Sequence, residues 1–347
     1  MAKQKTILVV DDNDINLSVA ESALEEHYRV MTLPSATKMF ALLEKIPVPD
    51  LILLDIEMPE IDGFEALLRL KSNKLHASIP VIFLTSMTDA EIEVRGFQLG
   101  VVDFITKPFS APVLLNRIKT HLGIDEIIRE RTAQLESLKN GIVFVLSDMV
   151  ENRDHGTGGH VERTTMYIEI LLRAMLENVE YSENIRFMDI ESLISSARLH
   201  DVGKITVSDL ILNKPGKLTD EEFDKMKHHT VEGARIIDQI VSRTDNVEFL
   251  RNAKLFTNAH HERWDGKGYP YGLKGEEIPM QGRIMAIADV YDALISERPY
   301  KKPFTHEEAC KIIKDGAGTQ FDPALVDVFL AVEGDFAQVE CSGDQED

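Results

Sequence analysis

The first third of the chain alternates short apolar runs with amphipathic segments. The runs are of strand length, and the intervening segments, such as 36–45 and 89–98, are of helix length. Two runs, LILL and VIFL, are continuous rather than alternating, which is typical of strands buried on both faces of a parallel sheet flanked by helices. Residues 1–121 therefore predict a five-unit βα domain, with strands at 6–10, 28–33, 50–54, 80–84 and 102–106.

A helical pattern follows this domain over residues 122–150. Apolar side chains recur there every seven residues, and a second series four residues earlier is interrupted by Arg131. Asn140-Gly141 is a candidate break in this helix. The helix either packs on its own domain or dimerises and transmits a signal, and its length of about three heptads leaves both interpretations open. The first series is Ile128, Leu135, Ile142 and Met149, and the second is Ile124, Leu138 and Val145.

Helical periodicity continues to residue 332, and strand-like alternation is scarce. We predict an all-α domain of about six or seven helices in this part of the chain. The last residues carry six acidic and no basic side chains, which predicts a solvated, flexible tail. The predicted organisation is an α/β domain at 1–121, a connecting helix at 122–142, an all-α domain at 143–332 and the acidic tail at 333–347.

Length, composition and charge narrow the class of protein. A length of 347 residues favours two domains, and 44% hydrophobic with 28% charged residues is typical of a soluble globular protein. No apolar run approaches the roughly 18 residues of a membrane span. Cys310 and Cys341 form neither a disulfide framework nor a metal-type spacing, so we expect a reducing cytoplasm. The net charge of −21 disfavours general attraction to nucleic acid.

Charged and hydroxyl side chains stand where four of the predicted strands end. Asp11 and Asp12 follow the first strand, Asp55 the third, Thr85 the fourth and Lys107 the fifth. Ligands of an open parallel sheet bind beyond the carboxyl ends of its strands. Three close carboxylates there repel one another unless a hard cation such as Mg²⁺ neutralises them. One carboxylate could then attack phosphorus, while the lysine and the hydroxyl contact phosphoryl oxygens.

The whole of this segment, including DIEMPEIDG and TKPF, resembles the receiver domain of bacterial response regulators. The resemblance implies a flavodoxin-like, doubly wound sheet of five parallel strands, and phosphorylation of Asp55 by a sensor histidine kinase. It also implies Mg²⁺ binding by Asp11, Asp12, Asp55 and the carbonyl of Glu57, phosphoryl contacts by Thr85 and Lys107, and a switch role for Phe104.

Histidine and aspartate recur in motifs along the helical domain, and none of these motifs contains cysteine. Such a histidine–carboxylate set suits Fe, Mn, Zn, Co or Ni. A single helical histidine is commonly an ordinary polar side chain, so the informative features are the adjacent pairs HD and HH beside apolar segments. The motifs are TGGHVER with His160, ARLHDVGKI with His200 and Asp201, MKHHTVEGA with His228 and His229, AHHERWDG with His260 and His261, and IADVYDAL with Asp289.

The adjacent pairs predict two metals rather than one ion. Neighbouring Cα atoms are about 3.8 Å apart, and two-metal hydrolytic sites hold their ions about 3.5–4 Å apart, so each neighbour can serve one metal. Asp201 has two oxygens and can bridge both. Two metals suit phosphodiester hydrolysis, because they activate water and neutralise charge on the oxygens. Lys204, one turn after Asp201, is expected on the same face, where it holds a phosphate oxygen or assists the leaving group.

Residues from about 143 to 330 resemble the HD-GYP branch of the HD phosphohydrolases, since HDVGK, HHERWDGKGYP and IADVYDALISERPYK occur in order. The resemblance implies hydrolysis of cyclic di-GMP at two divalent transition metals, with Fe or Mn favoured. It assigns His160, His200, Asp201 and Asp289 to one metal, and it lets Asp201 bridge to a second metal held by His229, His260 and His261.

The same resemblance assigns the substrate side of the site. Arg298 and Lys301 match positions that hold substrate phosphates. The loop that contains Tyr269 is associated with activity and with contacts to a protein partner, and the Tyr269 ring offers a surface for stacking.

Two positions refine the ligand set. In the family that the segment resembles, the ligand is followed by three residues and then a glycine, which implies His229 rather than His228, so we expect His228 to face solvent. Some members of the family carry a glutamate four residues before the first histidine, as a ligand of a third metal. Gly156 stands at that position, so we predict two metals, and further cleavage of linear pGpG to GMP remains open.

These motifs favour a phosphorylation-regulated phosphodiesterase that converts cyclic di-GMP to pGpG, and we expect a homodimer. A hydrolase of another cyclic dinucleotide is an alternative, because residues that would read guanine cannot be identified. A non-catalytic receptor for cyclic dinucleotides is a further alternative, which the intact ligand set disfavours. The acidic charge and the catalytic motifs disfavour a DNA-binding response regulator, and we expect neither a nucleic acid polymer nor a membrane as partner.

Overall fold

The structure is a computed structural model that describes residues 4–86, 90–154, 159–179, 181–244, 247–296 and 302–339. The chain divides into two compact units, Met1–Leu135 and Glu136–Asp347. Within the described ranges, no helix is both long and apolar enough to cross a membrane.

The first unit is built on five parallel strands in the order β2-β1-β3-β4-β5. Strands β3 and β4 are buried along their whole length, because helices cover both faces of the sheet. The strand order reverses beside β1, so the carboxyl ends of β1 and β3 lie side by side. This confirms the doubly wound α/β prediction. The strands are β1 Thr6–Val10, β2 Arg29–Leu33, β3 Leu51–Asp55, β4 Val81–Thr85 and β5 Asp103–Thr106.

Four helices connect these strands. Three of them begin with a capping side chain, since Asn13, Ser35 and Asp62 each accept a hydrogen bond from a backbone N–H of the first turn. Successive strand residues enter two separate cores, with Leu8 on one face of the sheet and Val9 on the other. The helices are α1 Asp14–Leu24, α2 Ala36–Leu43, α3 Gly63–Ser72 and α4 Ala90–Gln98.

A single helix of 41 residues, α5 Ala111–Glu151, begins in the first unit and ends in the second. The predicted connecting helix is therefore continuous with the helix that follows β5, and Asn140-Gly141 does not interrupt it. Its heptad positions are exposed, with 58% of Ile128 and 66% of Leu135 accessible. The heptad pattern left two interpretations open. These two side chains do not show the first of them, packing of the helix on its own domain.

The second unit is helical, as predicted. Seven of its α-helices within the described residues have eight or more residues, and three are single turns. They enclose a core that contains the buried rings of Tyr167, Tyr291 and Phe329. The helices are α6 His160–Glu177, α7 Ser182–Ile185, α8 Ile190–Ala197, α9 Asp209–Leu212, α10 Asp220–Val241, α11 Val247–Ala259, α12 Met280–Ile295, α13 His306–Asp315, α14 Pro323–Ala331 and α15 Glu333–Phe336, with 3₁₀ helices at Val202–Thr206 and Gly275–Glu277.

The predicted flexible tail needs a correction at its start. Glu333–Phe336 form α15, and Phe336 is buried against the stacked ring of Tyr167 at 4.7 Å between centroids. One aromatic residue therefore outweighs the acidic composition on which the prediction rested. Residues 340–347 lie outside the described residues.

Two glycines allow a close backbone approach in the second unit. A Cβ atom on Gly203 would stand 1.8 Å from the carbonyl oxygen of His229, and one on Gly233 would stand 2.3 Å from Cγ2 of Thr257. Only glycine can occupy either position without displacing a helix. The 3₁₀ helix Val202–Thr206 thereby lies directly on α10, which brings the preceding Asp201 beside His229.

Candidate functional site

The first candidate site lies at the carboxyl ends of β1, β3, β4 and β5. Lys107 Nζ is 2.7 Å from Asp11 Oδ2 and 2.7 Å from Asp55 Oδ1. Oxygens of Asp11, Asp12 and Asp55 lie within 4.8 Å of one another, and Thr85 is buried at the end of the neighbouring strand. The four strand ends thus bring together the predicted carboxylates, lysine and threonine.

Charge in this pocket is only partly balanced. Burial raises the pKa of Asp55, and the Asp11 carboxylate raises it further, while Lys107 lowers it in part. Burial alone would lower the pKa of Lys107, but its bonds to Asp11 and Asp55 raise that pKa above its usual value. A second cation beside the three carboxylates would favour the ionised form of Asp55, and this form is the nucleophile.

Two further residues were predicted to contribute to this pocket, Phe104 in β5 and Glu57 just after β3. The Phe104 ring packs edge-on against Phe97 at 5.1 Å and Phe83 at 5.6 Å, and it is 9% exposed. The backbone N–H of Glu57 donates to Asp55 Oδ1 at 3.4 Å, and the Glu57 side chain accepts from Ser86. The predicted switch residue is therefore largely buried, and the predicted carbonyl ligand belongs to a residue close to the phosphoacceptor.

The second candidate site gathers seven predicted side chains from distant segments of the second unit. One group contains His160, His200 and Asp201, and another contains His229, His260 and His261, each with ligand atoms within 4.8 Å. Asp289 Oδ1 lies 3.6 Å from His160 Nε2, beside the first group. His160 begins α6, His200 and Asp201 precede the 3₁₀ helix, His229 lies in α10, His260 and His261 follow α11, and Asp289 lies in α12.

Asp201 lies between the two groups. Its Oδ1 is 3.3 Å from His229 Nε2 and 3.6 Å from His260 Nε2. Its Oδ2 is 3.4 Å from His200 Nε2 and 2.9 Å from Lys204 Nζ. Each oxygen thus faces a different set of nitrogens, as expected for a carboxylate that bridges two metals.

Backbone carbonyls orient three of the histidines. The Nδ1 atom of His200 lies 3.0 Å from the Ala197 oxygen, and that of His229 lies 2.7 Å from the Met226 oxygen. His260 Nδ1 lies 3.0 Å from the oxygens of Phe256 and Thr257. Because a carbonyl only accepts, each Nδ1 donates its proton, and each Nε2 of a neutral ring keeps a lone pair directed into the cluster.

The cluster leaves polar atoms without partners. His200 Nε2 and Asp201 Oδ1 are buried and find no hydrogen-bond partner among the described residues. His229 Nε2 and His260 Nε2 face each other at 3.3 Å, although carbonyls take the Nδ1 proton of both rings. Burying acceptor atoms that face one another costs free energy unless an electron-poor group, such as a cation, lies between them. The residues present therefore fit divalent metals.

The protonation states suit metal binding as well. Burial lowers the pKa of His229 to about 4. Burial and the adjacent His260 hold the pKa of His261 well below its usual value. For Asp201, burial favours the neutral acid, but Lys204 and His200 outweigh it and hold the pKa well below its usual range. Neutral imidazoles and an ionised carboxylate are the forms that bind metal.

Asp292 is a functional residue that the sequence reasoning missed. Its Oδ2 lies 2.7 Å from His160 Nδ1, and Arg163 Nε donates to its Oδ1 at 2.6 Å. Although burial opposes it, this carboxylate raises the pKa of His160 and fixes the ring with Nε2 towards Asp289. The available signal was spacing, since Asp292 stands three residues after Asp289 on the same helix face.

Lys204 and Tyr269 border the cluster. Lys204 lies in the 3₁₀ helix, with Nζ 2.7 Å from Asp154 Oδ2, a second residue that the sequence reasoning missed. The Tyr269 ring lies 4.7 Å from the ring of His261. Glu262, also missed, is buried and accepts N–H groups of Tyr271 and Leu273 at 2.7 and 3.0 Å, which holds the loop in place.

Other predicted residues stand apart. His228 is exposed whereas His229 is buried, which confirms that His228 faces solvent. Arg298, Lys301 and Gly156 lie outside the described residues, so their assignments stay predictions.

Comparisons with known proteins add to this geometry. A family model described as HD domain matches residues 144–325, and one described as response regulator receiver domain matches residues 7–119. A probable cyclic di-GMP phosphodiesterase of Vibrio cholerae is 39% identical over 97% of this chain and 79% of its own length.

Two further relatives show how the similarity is distributed. The cyclic di-GMP phosphodiesterase response regulator RpfG of Xanthomonas campestris is 36% identical over 84% of this chain and 77% of its own length. A 3'3'-cGAMP-specific phosphodiesterase 2 of Vibrio cholerae is 38% identical over 60% of this chain and 37% of its own length. A response regulator and a protein with a different named substrate thus both occur among the relatives.

Proposed function

Because the chain belongs to the HD-domain family and carries a response regulator receiver domain, we propose that it is a phosphorylation-regulated, metal-dependent phosphodiesterase that converts cyclic di-GMP to linear pGpG. The observation that carries the proposal is Asp201, whose two oxygens face two separate histidine groups. Relatives named as cyclic di-GMP phosphodiesterases resemble both units of the chain.

Two divalent metals bound by these side chains would activate the attacking water and neutralise charge that develops on phosphate oxygens. We assign one to His160, His200, Asp201 and Asp289, and the other to Asp201, His229, His260 and His261. Fe and Mn are the favoured metals for these two positions, and Zn, Co and Ni are alternatives. In the receiver unit, we assign Mg²⁺ to Asp11, Asp12, Asp55 and the carbonyl of Glu57.

Lys204 supplies a fixed positive charge at the edge of the cluster. Burial disfavours its charged form, but Asp201 and Asp154 outweigh burial and raise the pKa of Lys204 well above its usual value. A permanently charged amine attracts a phosphate oxygen and stabilises the leaving oxygen electrostatically. Tyr269, which lies against His261, offers a ring for a base of the substrate, and Arg298 and Lys301 are proposed phosphate contacts.

The direct test is turnover of several cyclic dinucleotides by the purified chain loaded with Fe²⁺ or Mn²⁺. We expect cyclic di-GMP to be converted to pGpG, with a higher kcat/KM than 3'3'-cGAMP, and elemental analysis to find about two metals per helical unit. Preference for another cyclic dinucleotide would replace the substrate assignment. Binding without turnover in either metal form would favour the non-catalytic receptor.

The receiver pocket predicts control by phosphorylation of Asp55. Beryllofluoride, a phosphoryl mimic, is expected to change kcat by at least about fivefold, the size of a 1 kcal/mol coupling, or to change the molecular mass. Because the substituted amide is no nucleophile, Asp55→Asn should abolish the response and retain basal activity. Equal rates and masses with and without the mimic would remove the regulatory role. A sensor histidine kinase is the proposed phosphodonor.

We also propose that α5 pairs with a second copy of the chain. Its heptad residues Ile128, Leu135, Ile142 and Met149 are each more than half exposed, and a stripe with this period is the surface that pairs in a coiled coil. A partner protein at the loop of Tyr269 and action in the cytoplasm are further proposals that rest on the sequence.

A further inference from the structure

The carboxyl end of α5 lies against the amino end of α6, the helix that begins with the predicted ligand His160. Glu151, the last residue of α5, accepts the backbone N–H of His160 at 2.6 Å and that of Val161 at 3.2 Å. The residue before α6 is Gly159, which makes no side-chain capping bond. A carboxylate from another helix therefore caps α6, where unpaired N–H groups and the helix dipole favour negative charge.

Arg153, two residues later, holds a second segment of the site. Its guanidinium donates to the Ile205 carbonyl at 2.8 Å and to Asp209 Oδ1 at 2.7 Å. Its own carbonyl accepts from Asn213 Nδ2 at 2.9 Å. These bonds connect the end of α5 to the 3₁₀ helix that directly follows Asp201.

Asp154 completes the connection. Its Oδ2 lies 2.7 Å from Lys204 Nζ, which lies 2.9 Å from Asp201 Oδ2. A helix cap or an ion pair is common in isolation. Here three of four consecutive residues, Glu151, Arg153 and Asp154, contact the segment of one predicted ligand, His160, or the segment of another, Asp201.

We propose that residues 151–154 form a positioning turn, which sets the distance between His160 and Asp201 and therefore the geometry of the first metal. The inference rests on the proposed metal site and extends it, because α5 begins at Ala111 in the receiver unit. If the end of α5 moves, Glu151, Arg153 and Asp154 move the segments of His160 and Asp201, which are two proposed ligands of the same metal. Glu151 acts through His160 and is a positioning residue rather than a catalytic one.

The test compares Glu151→Ala and Glu151→Gln with Glu130→Ala, an exposed glutamate of the same helix. Stepwise Co²⁺ affinities and visible absorption spectra are measured on the full chain, with Mn²⁺-supported turnover as a further readout. We expect Glu151→Ala to weaken one of the two Co²⁺ sites by about 10–100-fold, as for partners that orient metal ligands, and to alter its spectrum. Glu151→Gln should restore part of the affinity because its amide oxygen still accepts one N–H, and Glu130→Ala should match the wild type.

Thermal unfolding separates positioning from general stability. Unchanged affinities and spectrum in Glu151→Ala would overturn the proposal, and so would equal weakening of both sites with a lower Tm. If the alanine variant does not fold, Glu151→Gln and Arg153→Lys carry the same comparison. The two proposals can also fail separately. If the wild type does not hydrolyse cyclic di-GMP but Glu151→Ala selectively loses one metal, the positioning turn is supported and the proposed activity fails. Normal hydrolysis of cyclic di-GMP together with unaltered metal binding in Glu151→Ala would support the proposed activity and overturn the positioning turn.

Discussion

Asp201→Ala is expected to lower hydrolysis of cyclic di-GMP by more than about 100-fold, since even the partners that orient metal ligands typically contribute about 10–100-fold. The substitution removes both oxygens that lie between the histidine groups. It also leaves the half-buried Lys204 with Asp154 as its remaining carboxylate partner among the described residues. Both metals should bind more weakly, because Asp201 is the proposed ligand of each.

The measurement is turnover together with metal content after removal of loosely bound ions. Asp201→Asn keeps the volume of the side chain and tests whether charge rather than packing is responsible. Asp315→Ala, at an exposed position at the end of α13, is the control and should behave as wild type. Hydrolysis within about tenfold of wild type in Asp201→Ala would exclude a bridging role, given the effect expected of a ligand.

The neighbouring histidines of α10 are expected to give opposite results. His229 is buried with Nε2 directed at Asp201, whereas His228 on the same helix is exposed. His229→Ala should reduce the metal content of the helical unit from about two ions to about one and lower turnover by more than about 100-fold. His228→Ala should leave both quantities unchanged.

This pair is a matched control, because the two variants share residue type, helix and local sequence. Elemental analysis and turnover are measured beside Tm, which tests whether the vacated space at position 229 destabilises the core. Two metals retained in His229→Ala would show that the second metal has other ligands. Loss of activity in both variants would indicate damage to α10 rather than loss of a ligand.

Much of the receiver unit could be predicted because its pattern is local. Continuous apolar runs identify buried parallel strands, and residues that follow such strands must meet at one edge of the sheet. Asp11, Asp55 and Lys107 therefore converge as expected. The helical ligands were assigned through motif resemblance. The adjacent pairs supplied the argument for two metals, but the structure places both His260 and His261 in one group, so that pair does not divide between two metals.

The supporting residues were less accessible to sequence reasoning. Asp292 and His160 are 132 residues apart in the sequence, and Asp154 and Lys204 are 50 residues apart. Only the packing of helices brings the members of each pair together. The carbonyls that orient His200 and His229 belong to Ala197 and Met226. Any residue type supplies a carbonyl, so no side-chain pattern could have revealed them.

The extent of α5 was also underestimated. The sequence interpretation began a new helix at residue 122 because a domain boundary was expected there, but neither Gly123 nor Gly141 breaks the helix. A Cβ at either position would meet no atom within 4 Å in the described parts of the chain outside this stretch of helix. A glycine inside a helix costs only about 1 kcal/mol, which the remainder of so long a helix can absorb.

The backbone contact between Gly203 and Gly233 has a consequence for how this enzyme can diverge. Side chains around the cluster can be exchanged one at a time, and such changes can alter metal preference or the substrate accepted. A Cβ at Gly203 would stand 1.8 Å from the carbonyl oxygen of His229, so the segment that follows Asp201 would have to move away from α10. Selection can therefore vary the side chains at the site, while the close approach of the Asp201 segment to α10 is a property of the main chain at Gly203.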